Sequence, residues 1–313
     1  MRAISIEHDL TITDVPKPEL KPGEVLVKVH ATGVNRGDIL QAAGHYPPPP
    51  GASEIMGLEC SGEIVDAGDT RRKAGEQVAC LLAGGGYAEY VAVPEGQLMS
   101  LPEGYSMAEA ASIVEVACTV HSNMQLAGLK QGDTLLIHGG AGGIGTFAIQ
   151  YAKALGCTVA VTAGSAEKLE VCKQLGADIL INYKEEDFAE VMKNKCDVIL
   201  DIMGAKYLEA NVKALAMDGH LIIIGMQGGV KGELNIGRLL TKRGSISATA
   251  LRARDLADKA RIVKDTENTV WPLIKEGKIK HHLTTTLPLE EAAKAHQMLK
   301  EGSVAGKIVL TVA

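Results

Sequence analysis

TLLIHGGAGGIGTFAIQ occupies residues 134–150. Leu135, Leu136 and Ile137 suit a strand buried on both faces. The run stops at Gly140-Ala141-Gly142-Gly143-Ile144-Gly145 and passes into Ala148, Ile149, Ala152 and Leu155, which recur at helical spacing. A strand, a glycine turn and a helix start together form the arrangement that seats a dinucleotide pyrophosphate. The first glycine is expected to allow the tight turn. The second lets backbone approach phosphate, and the third lets helix and strand pack closely. The helix N-terminus then offers N–H groups and a partial positive charge. Glycine is 35 of 313 residues, so three at this spacing prove little alone. The strand before and the helix after carry the reading.

C-terminal to this motif, strand and helix alternate. Thr158 to Thr162, Ile179 to Ile181, Asp197 to Asp201 and His220 to Gly225 are short β-branched runs, and Ser245 to Ala250 is a last strand. Glu167 to Leu175 and Tyr207 to Leu215 are helical between them. This is the signature of βαβ units and a parallel sheet. N-terminal to the motif, the chain reads as short strands and turns: Glu24 to His30, Ile64-Val65, Gln77 to Cys80 and Tyr87 to Val93. The run Tyr46-Pro47-Pro48-Pro49-Pro50-Gly51 is expected to be a stiff extended loop. After 255 comes a helical stretch, Asp255 to Glu276, and a terminal strand, Gly306 to Leu310, expected to return to the first domain. The expected fold is therefore α/β. A doubly wound parallel sheet covers residues 115–255, a mainly β domain covers 1–114, and 256–313 rejoins that domain.

Hydrophobic residues make up 46% and charged residues 22%, an ordinary globular balance. Net charge is −6 with no basic stripe, which argues against nucleic acid as a partner. Apolar runs are too short for a membrane span. The start, with Glu7 and Asp9, lacks an apolar signal segment, so a cytoplasmic location is expected. The six cysteines, Cys60, Cys80, Cys118, Cys157, Cys172 and Cys196, form no C-x-x-C pair and are expected to be reduced and buried.

The end of the second strand discriminates between nicotinamide cofactors. An NAD site places Asp or Glu about 20 residues past the last glycine, on the ribose hydroxyls. Here Val159 to Ala166 holds no acid, and Gly164 and Ser165 are followed by Lys168. Lysine and serine suit a 2′-phosphate, and Tyr183 past the third strand adds a third contact, so NADPH is expected. Lys168 also reads as a solvated helix lysine. Glu167 falls in the first helical turn, where an acid complements the dipole.

Gly132, Leu136, Ala141, Gly142, Gly143, Gly145, Gln150 and Lys153 resemble the quinone oxidoreductase and zeta-crystallin signature of the medium-chain dehydrogenase/reductase superfamily. Gly33-Val34-Asn35-Arg36-Gly37-Asp38 and Gly57-Leu58-Glu59-Cys60-Ser61-Gly62 are similar to the same family. Gly84 to Val91 and Leu251-Arg252-Ala253-Arg254-Asp255 resemble the subgroup of quinone reductases that a tumour suppressor induces in animals. The resemblance spans essentially the whole chain. It implies a GroES-like domain built from both chain ends, a central Rossmann domain, NADPH in the cleft between them, and a homodimer paired through Rossmann edge strands.

The superfamily's zinc enzymes use cysteine, histidine and cysteine at a catalytic metal. By resemblance those positions here are Asn35, Leu58 and Glu115, so no metal is expected. The resemblance also implies the site. Tyr46 and Asn35 are the catalytic candidates, with Asn35 at the nicotinamide end as well. Thr119, Ala141, Gly142, Gly143, Ile144, Gly164, Ser165, Lys168, Tyr183, Asp201, Met203, Gly204, Gly225, Met226, Leu251 and Arg252 are the remaining cofactor contacts. A surface salt bridge is an alternative role for Arg252. His138 is expected to line the cofactor turn, and His281-His282 to be a solvated pair. The expected activity is two-electron reduction of a quinone or similar electron-poor acceptor. An NADPH-dependent alkenal or enoyl reductase is the alternative, and a non-catalytic nucleotide- or RNA-binding crystallin is a reading of another class.

Overall fold

The computed structural model describes residues 1–312. Its chain divides into two compact units. One holds residues 119–250 and 278–280; the other holds 1–118, 251–277 and the chain from 281 onward.

In the first unit, Thr134–His138 sits inside a six-stranded sheet. The order across the sheet is Ile179–Asn182, Thr158–Ala163, Thr134–His138, Cys196–Asp201, Leu215–Ile223, Ser245–Ala248. Every neighbouring pair is parallel. Leu135, Leu136 and Ile137 are fully buried, as a strand covered on both faces requires. The sheet reverses direction of growth at Thr134–His138 and Cys196–Asp201, the switch point of a doubly wound fold. One strand departs from expectation. Leu215–Ile223 begins well before His220, because a register shift between Cys196 and Val198 lets Leu215 pair ahead of the main ladder.

The glycine turn also differs in detail. Gly139, at φ +74°, takes the left-handed turn that was expected of Gly140. Gly140 is instead a packing glycine: a Cβ there would lie 2.8 Å from Val161 Cβ and 2.9 Å from Cys172 Sγ. Gly145 does pack as expected, since a Cβ would lie 2.4 Å from the Gly139 carbonyl oxygen. Gly142 is the N-cap of the helix Gly143–Ala154, is exposed, and meets nothing closer than 3.5 Å.

His138 is a core residue and does not line the turn. Its Nε2 lies 2.7 Å from Asn211 Oδ1 and its Nδ1 3.1 Å from Thr162 Oγ1, with Phe188 and Tyr207 edge-on to the ring. Burial pushes its pKa down to about 4, so the ring is neutral and ties strand ends together.

In the second unit the sheet order is Leu283–Pro288, Lys307–Thr311, Glu24–Gly33, Glu59–Asp66, Gln77–Leu81, Leu98–Ser100, with Tyr90–Pro94 also on Glu24–Gly33. The terminal strand Lys307–Thr311 joins this sheet, antiparallel to Glu24–Gly33. Residues 46–51 are neither helix nor strand. Tyr87 and Ala88 precede the strand expected to contain them, because they meet the N-terminal segment instead: Ile4 N–H bonds the Tyr87 carbonyl at 2.9 Å. The helix Leu256–Lys275 starts where Asp255 caps it, accepting from Asp258 N–H at 2.8 Å. All six cysteines are buried and free. No described helix is long and apolar enough to cross a membrane.

The glycine geometry makes a paired prediction. Gly145→Ala drives a methyl into backbone and is expected to cost about 1–3 kcal/mol. Gly142→Ala has space and is expected to stay within roughly 0.5 kcal/mol. Urea unfolding of the two variants reads the difference; equal midpoints would contradict it.

Candidate active site

Two groups of side chains carry chemistry, one on each unit. On the Rossmann unit they follow from strand ends. The helix Gly143–Ala154 has no acidic residue in its first turn, so its positive end is uncompensated within its own sequence. Ala141 is buried beneath the loop, Gly142 is exposed, and Gly143 and Ile144 are half-buried. Gly139 and Gly140 N–H groups bond the Thr162 carbonyl at 3.1 and 3.0 Å, which pins the loop to the second strand. With backbone N–H groups at a helix start, an open glycine and no competing carboxylate, the loop fits an anionic pyrophosphate.

At the end of the second strand the structure brings Gly164 and Tyr183 together. A Cβ on Gly164 would lie 2.4 Å from the Tyr183 hydroxyl, so only glycine leaves room for the ring. Tyr183 is 48% exposed. Lys168 is half-buried and takes part in no ion pair among the described residues. Ser165 has a structural duty: its hydroxyl is the N-cap of the helix Ala166–Gln174, accepting from Lys168 N–H at 3.4 Å.

The fourth and fifth strands end in interlocked loops. Asp201 is fully buried and its two oxygens accept from Met203 and Gly204 N–H at 2.7 and 2.9 Å. Its carboxylate therefore holds the loop's shape, and burial pushes its pKa up to about 6. Gly204, at φ +71°, sits with Gly225 and Met226 around it: a Cβ would lie 3.0 Å from Met226 Cα. Met226 is 55% exposed, whereas Thr119 is buried within the helix Val114–Ala127.

The second unit holds a buried polar cluster around Glu59, which is wholly inaccessible. Lys307 Nζ donates to Glu59 Oε1 at 2.6 Å and to Asn35 Oδ1 at 2.6 Å. Asn35 Nδ2 donates to Glu59 Oε1 at 2.9 Å, and Glu115 N–H to Glu59 Oε2 at 2.8 Å. These bonds fix the Asn35 amide, with its oxygen on lysine and its nitrogen on glutamate. Asn35 is also the N-cap position of the helix Arg36–Ala42, and Asp38 accepts its N–H at 2.8 Å and that of Gly57 at 3.0 Å. Burial pushes Asp38 up to about 6 in spite of those bonds.

Tyr46 lies beside this cluster. Its ring covers Gly37, where a Cβ would meet Tyr46 Cε1 at 3.3 Å and Leu58 Cδ1 at 2.8 Å. The Arg252 guanidinium stacks on the ring, 4.9 Å from its centroid. Arg252 is only 5% exposed and forms no ion pair among the described residues, so it is not the surface salt bridge that was the alternative. Its N–H groups go to the Ala83 and Tyr46 carbonyls and to Gln41 Oε1, at 2.7, 3.0 and 2.7 Å. Leu251 packs with Ala79, Met99 and Ile262 in the core of the same unit. His281 is not simply solvated either, since its Nε2 lies 2.7 Å from Glu109 Oε1. Lys307 and Gln41 were invisible to sequence reasoning, because nothing local marks a lysine or glutamine whose partners are 248 or 211 residues away.

Comparisons with known proteins agree with this architecture. Residues 21–103 match the alcohol dehydrogenase GroES-like domain family, and residues 143–265 the zinc-binding dehydrogenase family. A quinone oxidoreductase of Pseudomonas aeruginosa is 32% identical over 310 residues, covering 96% of this chain and 95% of that protein. An Escherichia coli quinone oxidoreductase, solved in complex with NADPH, is similar with a TM-score of 0.86 and 27% identity, covering 96% of this chain and 95% of that one. A structure described as an NAD-dependent alcohol dehydrogenase is also similar, with a TM-score of 0.85, 30% identity and full coverage of both chains. The chain belongs to the medium-chain dehydrogenase/reductase superfamily of oxidoreductases, and to its quinone oxidoreductase branch.

Proposed function

We propose that the protein is an NADPH-dependent, zinc-independent oxidoreductase that reduces quinones or similar electron-poor acceptors. The observation that carries the acceptor reading is the surroundings of Tyr46. The phenol ring lies against Gly37, as Leu58 does, and by resemblance Leu58 and the nearby Asn35 stand where the superfamily's zinc enzymes hold metal. Leucine offers no donor atom, and the Asn35 amide oxygen is already taken by the Lys307 ammonium. Among the described residues no group of three or more His, Cys, Asp and Glu is arranged to hold a metal. Carbonyl polarisation then falls to neutral hydrogen-bond donors, which suffice for an acceptor that is already electron-poor.

NADPH, when bound, supplies the hydride. The chain's own residues bind and orient. Ala141, Gly142, Gly143 and Ile144 would hold the pyrophosphate at the helix start. Lys168 and Tyr183 would flank the 2′-phosphate beside Gly164, and the loops at Met203 and Gly225 the nicotinamide half. Tyr46 donates its hydroxyl proton in a hydrogen bond to the acceptor oxygen that gains charge, and the final proton comes from water.

The exposed side chains Val230, Ile236 and Leu240 and the edge strand Ser245–Ala248 belong to the same unit and support a homodimer through this edge. Sedimentation of the protein is expected to give twice the subunit mass, and Ile236→Asp with Leu240→Asp is expected to shift it toward monomer. A monomeric wild type would refute the assignment.

Lys168→Ala removes a charge-assisted bond worth about 1.5–3 kcal/mol. It is expected to weaken NADPH roughly ten- to hundredfold and leave NADH unchanged. Fluorescence titration of both cofactors checks this, and equal losses would end the assignment.

Stopped-flow mixing of the NADPH complex with quinones is expected to show single-phase two-electron reduction without a radical signal, unaffected by chelator. Tyr46→Phe is expected to lower kcat about threefold, far less than loss of a donor in a site that depends on it. No reaction with quinones beside fast reduction of α,β-unsaturated aldehydes would transfer the protein to the alkenal reductases.

A further inference from the structure

Arg252 is a buried cation with no ion pair among the described residues, an expensive arrangement that an isolated surface role would not sustain. Its guanidinium is planar, and the structure uses that plane in two ways. The face stacks on the Tyr46 ring. The edge donates to three acceptors: the Tyr46 carbonyl at 3.0 Å, the Ala83 carbonyl at 2.7 Å and Gln41 Oε1 at 2.7 Å. Gln41 is tied in turn, its Nε2 donating to the Glu54 carbonyl at 2.8 Å. The contacts therefore reach both ends of the proline run: Tyr46 before it and, through Gln41, Glu54 after it.

We propose that Arg252 is a positioning residue for Tyr46, holding its ring and its backbone carbonyl so that the phenol keeps one orientation. The proposal rests on the reading of Tyr46 as the donor to the acceptor. A loop of four prolines is stiff but has no regular hydrogen bonds of its own, so its placement must come from outside. Gly37 lies against the ring and Arg252 stacks on it. Lys259, itself buried, adds a hydrogen bond to the Arg252 carbonyl at 3.4 Å, which fixes the arginine backbone. The arginine charge also offsets part of the burial that raises the Tyr46 pKa, which keeps the hydroxyl a better donor. Lysine could not replace it, because a point charge cannot both stack flat and bond three diverging acceptors.

The test is a double-mutant cycle on kcat with a quinone and NADPH. Residues that act as one unit give non-additive losses, whereas independent ones add. Arg252→Gln is expected to lower kcat about threefold, to the level of Tyr46→Phe, with KM for NADPH unchanged; in the Tyr46→Phe background it is expected to lower kcat no further. The same fold loss in both backgrounds would overturn the positioning role, because a general structural defect does not need the hydroxyl. A Tyr46→Phe enzyme with wild-type kcat would remove the donor reading itself, and the proposal with it. If Arg252→Gln does not accumulate as folded protein, Gln41→Leu removes one anchor of the guanidinium and goes through the same cycle, with the same two outcomes.

Discussion

Glu59 keeps a carboxylate wholly out of water, and much of its unit follows from that. An ion buried without partners costs several kcal/mol, so its neighbours are obligatory. Lys307 supplies the opposite charge at 2.6 Å, which requires the terminal strand to lie beside Glu24–Gly33. Gly33 must be glycine, since a Cβ there would lie 2.1 Å from Glu59 Oε1. The Asn35 side chain is drawn to the ion pair, and Asp38 reaches back to the Asn35 N–H to hold the helix start. Asp38 in turn becomes a second buried acid, reached by the Tyr87 hydroxyl at 3.4 Å. One unexposed charge thus sets the strand order at one edge, a glycine, an amide orientation and a helix start.

The other unit works by a simpler rule. Six parallel strands end on the same edge of the sheet, so every loop that follows a strand opens there. The glycine loop, Gly164, the Asp201 turn and Gly225 are gathered by topology alone. What each loop needs beyond that is shape. Thr162 provides it for the first by binding Gly139 and Gly140, and Asp201 provides it for the fourth by binding Met203 and Gly204. Polar groups behind the loops, a backbone carbonyl in one and a carboxylate in the other, define them, and glycines in front leave them open.

That division explains what was legible in the sequence. Strands with continuous apolar runs and a glycine turn at a fixed place are local patterns, so the parallel sheet and its loops could be read directly. The terminal strand's return was legible by elimination, once six strands had been counted. The register shift before Val198 left no periodic signature and was missed. The turn expected of Gly140 falls on Gly139, because motif spacing says which residues are glycine but not which one turns. The Glu59 cluster is half visible: Asn35 and Glu115 stand out at positions where relatives hold metal, but Lys307 carries no local mark. Arg252 is legible as a residue of interest, but its burial is not, and that burial rules out the surface salt bridge. Its acceptors are two backbone carbonyls and an amide, groups that every sequence contains everywhere.

The buried ion pair has a consequence for biosynthesis. Its acid lies at residue 59 and its base at residue 307, so 248 residues of synthesis separate the acid from its counter-ion. Apart from the short segment 278–280, the Rossmann unit is one contiguous stretch that is complete by residue 250. On a ribosome that unit can close while Glu59 still lacks its counter-ion, since domains fold as units during synthesis. A prematurely terminated chain would carry a finished nucleotide-binding sheet and an unfinished companion. Quality control would meet one closed unit beside an open one that still holds an unmatched buried acid.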